Sequence, residues 1–179
     1  MDRPGDTKQR IQLAARELFA QKGVHKTSLK EIADRLGISK PALYYHFGSR
    51  EELVRSIVQP LIDAGEAFLL EQEALDDVDP RKLLEGYFDF NYAHRDETVL
   101  ILTELTTLNE LGLVEVVIAW RERLAELLCG KRLTLDKSVR AVLALGGIQD
   151  CTIQFPDVPA ARLRRASVDA ACAALGISA

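Results

Sequence analysis

Apolar side chains recur at helical spacing along almost the whole chain. Ile11, Ala14, Ala15 and Leu18 form one stripe, extended by the alkyl stem of Lys22. Asp6 or Thr7 is placed to cap its start, and Gly23 to stop it in the left-handed conformation open to glycine. Leu29, Ile32, Ala33 and Leu36 form a second stripe that ends at Gly37. It is opened by Ser28-Leu29-Lys30-Glu31, a spacing in which hydroxyl and carboxylate each satisfy an orphaned backbone N–H. Ser39 caps a short third helix that tolerates Pro41 in its first turn. Ser49-Arg50-Glu51-Glu52 repeats the capping signal before Leu53, Val54, Ile57 and Leu61. Pro60 lies inside this fourth helix, where it removes one backbone donor and crowds the preceding turn, so a kink or break is expected near Ser56.

Beyond that point Asp79-Pro80 opens a helix running to about His94, and Asp96 opens a shorter one that ends near Gly112. Leu113 to Cys129 follows, stopped by Gly130, then Asp136 to Ile153 and Pro159 to Leu175. Val114 to Ile118 is β-branched and could be a strand in isolation. Its place inside the stripe Leu113, Val117, Trp120, Leu124, Leu128 favours helix. With no hairpin signal and no internal repeat, the expectation is an all-α chain of nine helices.

Charge sharpens this picture. The 179 residues are acidic on average, yet residues 1–55 carry 11 Lys+Arg against 7 Asp+Glu, while residues 56–179 carry 12 against 20. A basic head on an acidic body points to a polyanion at one end only. No apolar run approaches the roughly 20 residues of a membrane helix, and the N-terminus lacks the apolar core of a signal peptide. Cys129, Cys151 and Cys172 stand far apart, without a C-x-x-C pair or an adjacent histidine. That spacing favours three buried thiols over a disulfide framework or a zinc site.

The second helix, the turn Gly37-Ile38-Ser39 and the third helix have the proportions of a helix-turn-helix, whose second helix presents its N-terminal residues to the major groove. Lys40 is a cation at the groove entrance, and Pro41 and Ala42 are small enough to let the helix approach base edges. Tyr44, Tyr45 and His46 supply hydroxyl and imidazole groups for phosphate contacts. Thr27 and Ser28 stand where helical N–H groups and the dipole favour a phosphate, and Arg50 does the same at the start of the fourth helix. Leu43 and Phe47 point back into a small core with Leu18, Phe19, Ile32 and Leu36. The competing reading of His46 is a satisfied structural histidine.

The run from Ile32-Ala33 through Leu36-Gly37-Ile38-Ser39-Lys40-Pro41-Ala42-Leu43-Tyr44-Tyr45-His46-Phe47 to Ser49-Arg50-Glu51-Glu52-Leu53 resembles the N-terminal signature of the TetR family of transcriptional regulators. The resemblance is dense over about residues 8–56. It implies a cytoplasmic homodimer, usually a repressor, that binds a palindromic double-stranded DNA operator and lets go when a small molecule enters the C-terminal domain. Carried over, Lys40, Pro41, Ala42 and Tyr44 face bases, while Thr27, Tyr45, His46 and Arg50 face phosphates. Pro41 stands where the family often has Gly. The implied organisation is a DNA-binding domain over residues 1–55 and an effector-binding and dimerisation domain over 56–179. The last two helices would pair with their mates in a four-helix bundle, and Ala141, Ala144, Gly146, Gly147, Ala170, Ala171, Ala173 and Ala174 permit close backbone approach there.

A pocket in the body would need polar groups set in apolar stripes. Tyr87, Asn91 and His94 share one helix face by their spacing, and Thr103, Thr106, Thr107 and Glu110 share another. Trp120 and Gln149 interrupt stripes of Leu, Val and Ile. Each of these has a structural reading as well; as a set they describe a moderately apolar cavity, and the acidic body favours neutral or cationic effectors. Pro60 would make the fourth helix a bistable lever between pocket and head. An enzyme is the rival class, but no nucleophile stands beside a base and no glycine-rich loop follows a strand. An architectural DNA binder without an effector is the third reading. No cofactor is implied by any of them.

Overall fold

The structure, a computed structural model, describes residues 4–103, 109 and 112–177. Among the described residues are nine helices and no strand: α1 (Pro4–Lys22), α2 (Leu29–Leu36), α3 (Lys40–His46), α4 (Arg50–Glu73), α5 (Pro80–Ala93), α6 (Arg95–Thr103), α7 (Leu113–Cys129), α8 (Leu135–Gln154) and α9 (Ala160–Leu175). The fold is all-α, as the periodicity requires, and the β-branched run after Leu113 is helical inside α7. The chain divides into two compact units, one reaching to Pro60 and including the described part of residues 100–113, the other comprising Leu61–Val99 and the chain from Val114 onward.

In the first unit, the apolar stripes of α1, α2, α3 and the start of α4 close on one core. Ile11, Ile32, Leu43, Phe47, Leu53 and Ile57 are fully buried there and Phe19 nearly so, with Leu36 only half-buried at the rim. The start of α1 differs from expectation, for the helix begins at Pro4 and runs through Asp6 and Thr7. Proline suits a first helical turn because that turn's N–H groups have no helical partner, and Asp6 then lies where the dipole favours a carboxylate. Gly23 and Gly37 both adopt left-handed backbone, with φ of 85° and 65°.

The break expected near Ser56 does not occur: α4 runs unbroken through Pro60. Proline supplies no N–H to the Ser56 carbonyl four residues earlier. A side chain of α1 replaces it. Gln12 Nε2 donates to the Ser56 carbonyl at 3.3 Å and to Ser56 Oγ at 3.0 Å, and Arg16 Nη2 donates to the Ile57 carbonyl at 3.3 Å.

In the second unit, α5, α8 and α9 pack on one another. With the later part of α4 and α7 they bury Leu69, Leu83, Leu84, Phe88, Leu124, Leu145, Ile148 and Val168. Asp79 caps α5, its carboxylate accepting from the N–H groups of Arg81 and Lys82. α4 and α7 pack closely where a Cβ added at Gly65 would lie 2.4 Å from the Trp120 ring. Glycine is what lets the indole lie on the helix backbone. Cys172 is buried, whereas Cys129 and Cys151 are only half-buried, so the expectation of three buried thiols holds for one. No helix among the described residues is long and apolar enough to cross a membrane.

Candidate functional site

The helix-turn-helix is built by its caps. Ser28 Oγ accepts from the Glu31 N–H at 3.2 Å while Glu31 Oε2 accepts from the Ser28 N–H at 2.8 Å, so both halves of the first capping box form. The Gly37 and Ile38 N–H groups return to the carbonyls of Asp34 and Ala33, ending α2 in one residue of left-handed backbone. Ser39 Oγ then accepts from the Ala42 N–H at 3.3 Å and starts α3. The second box is shifted by one position: Ser49 Oγ accepts from the Glu52 N–H at 3.1 Å, but Glu52 Oε2 reaches the N–H of Gly48 at 2.7 Å.

With α3 fixed at both ends, its two faces separate cleanly. Leu43 and Phe47 are buried, while Lys40, Pro41, Ala42, Tyr44 and Tyr45 are exposed, Tyr45 at 83%. An aromatic ring at that exposure has no packing role to account for it. Lys40 Nζ stands 5.5 Å from the Tyr44 ring centre, holding the cation along the exposed face. Half-buried His46 meets the Tyr45 ring edge-on at 5.3 Å.

Three phosphate candidates read differently in the structure. Thr27 is buried; its hydroxyl donates to the Gly23 carbonyl at 2.8 Å and its N–H to the Val24 carbonyl at 3.1 Å. Both of its donors are used inside the protein, so its side chain serves as a strut of the α1–α2 turn. Ser28 is exposed, yet its N–H and hydroxyl both go to Glu31. Hydrogen bonds from Lys22 and then Ser28 lower the Glu31 pKa to about 2, so an anion already occupies this helix start. Arg50 is tied back to the His25 carbonyl at 3.4 Å and to Glu51 at 3.5 Å. The structure also adds a residue with no signal in the local pattern. Lys8 of α1, exposed, places its ammonium 5.4 Å from the Phe47 ring centre, at the end of α3.

In the second unit the pocket candidates fall into two groups. Tyr87 and Asn91 are buried on α5, and Asn91 Nδ2 donates to the Tyr87 carbonyl at 2.8 Å. Burial pushes the Tyr87 phenol above its ordinary pKa, and the facing side chains of Arg121 and Asn91 offset only part of that. Half-buried Arg121 in turn donates to Gln149 Oε1. Tyr87, Asn91 and Gln149 are thus brought together by a residue that the sequence reading passed over.

Trp120 belongs to the core. Its indole lies on Gly65, and its Nε1 donates to Glu66 Oε2 at 2.9 Å. His94 ends α5, its N–H donating to the Phe90 carbonyl, and its ring lies 5.2 Å from that of Phe90, which meets Trp120 edge-on at 6.5 Å. Trp120 is thus buried, with its ring on Gly65 and its one donor committed to Glu66. Thr107, Thr106, Glu110 and the side chain of Thr103 lie outside the described residues.

Fold and head together define an all-helical protein of the helix-turn-helix class. Residues 11–57, the helix-turn-helix head and the start of α4, match the family model described as bacterial regulatory proteins, tetR family. It is similar to the HTH-type transcriptional activator FasR of Mycolicibacterium smegmatis, 38% identical over 81 residues that cover 44% of this chain and 37% of FasR. It is similar also to the HTH-type transcriptional regulator TtgR of Pseudomonas putida, 34% identical over 88 residues, 47% of this chain and 42% of TtgR. The chain thus spans about two fifths of the length of these curated relatives. Over most of its length it follows the crystal structure of the TetR family transcriptional regulator PfmR from Thermus thermophilus, with 28% identity and a TM-score of 0.67 over 90% of this chain and 96% of that one.

Proposed function

We propose that the protein is a sequence-specific DNA-binding transcriptional regulator, a cytoplasmic repressor that grips a palindromic operator as a homodimer and releases it when a small molecule binds the body. Residues 1–55 contact DNA, and residues 56–179 dimerise and take the effector. The observation that carries the reading is the exposed face of α3, where Lys40, Pro41, Ala42, Tyr44 and Tyr45 stand clear of the core on a helix capped at its start and set at the proportions of a recognition helix. Thr27 and Ser28 fix the start of α2, the first helix of the motif. Lys8 joins the candidates for phosphate contact.

Support for the homodimer comes from α8. Leu135, Val139, Val142 and Leu143 repeat at helical spacing and are each about half exposed or more, Leu135 at 80%. A Cβ at Gly147 would meet nothing within 4 Å, so the stripe continues into open backbone. Such a face on a soluble chain is read as an interface, and a two-fold pairing would match a palindromic site. The small residues divide: Ala141, Ala144 and Ala171 are buried within the chain's own core, while Gly147, Ala170 and Ala173 remain exposed.

The test is selection from a pool of random duplexes at physiological salt, followed by a promoter-reporter measurement with the recovered site. A palindromic consensus and a reporter that falls when the protein is expressed uphold the reading. Binding without a consensus identifies an architectural DNA binder, and a reporter that rises reverses the assigned sign.

A further inference from the structure

The arginines of the second unit differ in what they face. Arg123 is held by Glu66 at 2.9 Å and Glu73 at 2.7 Å, Arg164 by Asp89 at 2.9 Å and Glu85 at 3.3 Å, and Arg81 by Asp169 at 2.8 Å. Arg121 is as buried as these in class, yet it faces a neutral amide, Gln149, and the neutral phenol of Tyr87. Among the described residues no carboxylate lies within ion-pair distance of it. Taking a guanidinium partly out of water without a counter-charge is costly, and the other three arginines show how this chain ordinarily offsets it.

We infer that Arg121, with Tyr87, Asn91 and Gln149, forms a recognition site for a single carboxylate group on a small-molecule ligand. The inference deepens, and rests on, the reading that the body takes an effector. A guanidinium presents parallel N–H donors that match the two oxygens of a carboxylate. The Tyr87 phenol has an O–H to offer the same anion as a donor. One cation neutralises a monocarboxylate; a phosphate monoester would leave excess negative charge among Leu145, Ile148 and Trp120, which share the core with Tyr87. Arg121 and Gln149 are only half-buried, so this end of the site is open to solvent while Tyr87 and Asn91 close the other.

The test uses the full chain and a panel of monocarboxylates, from acetate to hexadecanoate together with benzoate, each paired with its methyl ester. Binding is read by calorimetry and by thermal shift. At least one acid is expected to bind tenfold or more tightly than its ester, and Arg121→Gln is expected to abolish that difference. The acid–ester comparison on the unmutated chain decides the matter even where the variant fails to fold. No acid that outbinds its ester, or an equal preference retained by Arg121→Gln, overturns the inference. Operator binding is measured in parallel. Carboxylate binding through Arg121 that leaves operator affinity unchanged upholds the site and refutes effector release, whereas a chain that binds no operator at all refutes the regulator reading alone.

Discussion

Gln12 of α1 stands in for the backbone donor that Pro60 cannot supply, its amide reaching the Ser56 carbonyl from 44 residues away in sequence. The Ser56 hydroxyl, which accepts from the same amide, donates to the Leu53 carbonyl at 2.8 Å. Removing the amide leaves a partly buried carbonyl unpaired, so Gln12→Ala should cost about 1 kcal/mol of stability in chemical denaturation. Pro60→Ala restores the helix's own N–H. The double variant should therefore lose less than the sum of the two single changes, with an interaction energy of about 0.5 kcal/mol or more; strict additivity would mean that the amide and the proline are unrelated. As the proposed lever, Pro60→Ala should shift the effector response more than operator affinity, and no change in either would end that idea.

The capping box of α2 makes a pH-dependent contribution with a defined sign. Glu31 titrates at about 2 in the folded protein against 4.5 ordinarily, because Lys22 and Ser28 bond its ionised form. A carboxylate with a depressed folded pKa contributes stability above its unfolded value and loses it as pH falls toward the folded one. Glu31→Gln should then lower the thermal midpoint at pH 7. The gap between variant and parent should narrow from about pH 4.5 downward and close near pH 2; a constant gap across this range would show that Glu31 acts by packing alone.

Gly65 and Gly147 make opposite predictions on helices of the same unit. A methyl group at Gly65 meets the Trp120 ring at 2.4 Å. Gly65→Ala should destabilise by about 1–3 kcal/mol through overpacking and shift the tryptophan fluorescence as the indole leaves Glu66. At Gly147 nothing stands in the way, so alanine should gain about 1 kcal/mol of helix propensity in the monomer. If α8 carries the dimer, the same methyl enters the interface, and sedimentation should show weaker self-association of a more stable chain. An unchanged dimer constant would place the interface elsewhere.

On DNA, the exposed cations and rings of the head should separate by the slope of affinity against salt. Lys8→Gln should lower the log–log slope by about one, the signature of one lost phosphate contact, whereas Lys40→Gln should chiefly relax the sequence preference of the site. Thr27→Val should leave the slope unchanged and reduce stability instead, because its hydroxyl is committed to Gly23. Equal slopes for parent and Lys8→Gln would remove Lys8 from the interface.

How legible this was in the sequence follows from distance along the chain. Ser28 with Glu31, Gly37 and Ser39 act on backbone groups within four residues, so the turn and the exposed face of α3 can be read from local spacing. Thr27 misled because a residue at a helix start reads as exposed, whereas its hydroxyl turns back to Gly23. Trp120 is a like case: an aromatic in an apolar stripe gives no sign of the glycine, 55 positions earlier, that it lies on. Gln12 against Ser56, Lys8 against Phe47 and Arg121 among Tyr87 and Gln149 are all long-range pairings. Their signal is an absence that only a fold exposes, such as a carbonyl without a donor or an arginine without an acid.

Glu66 and Glu73 lie seven residues apart, on one face of α4, and the Arg123 guanidinium takes both. One side chain of α7 thereby spans two turns of α4, while the indole three residues before it sits on Gly65. In mechanical terms α7 and this stretch of α4 are a braced beam. A displacement of α7 is not dissipated by bending between residues 66 and 73 but is carried by this stretch of α4 as a rigid translation or rotation.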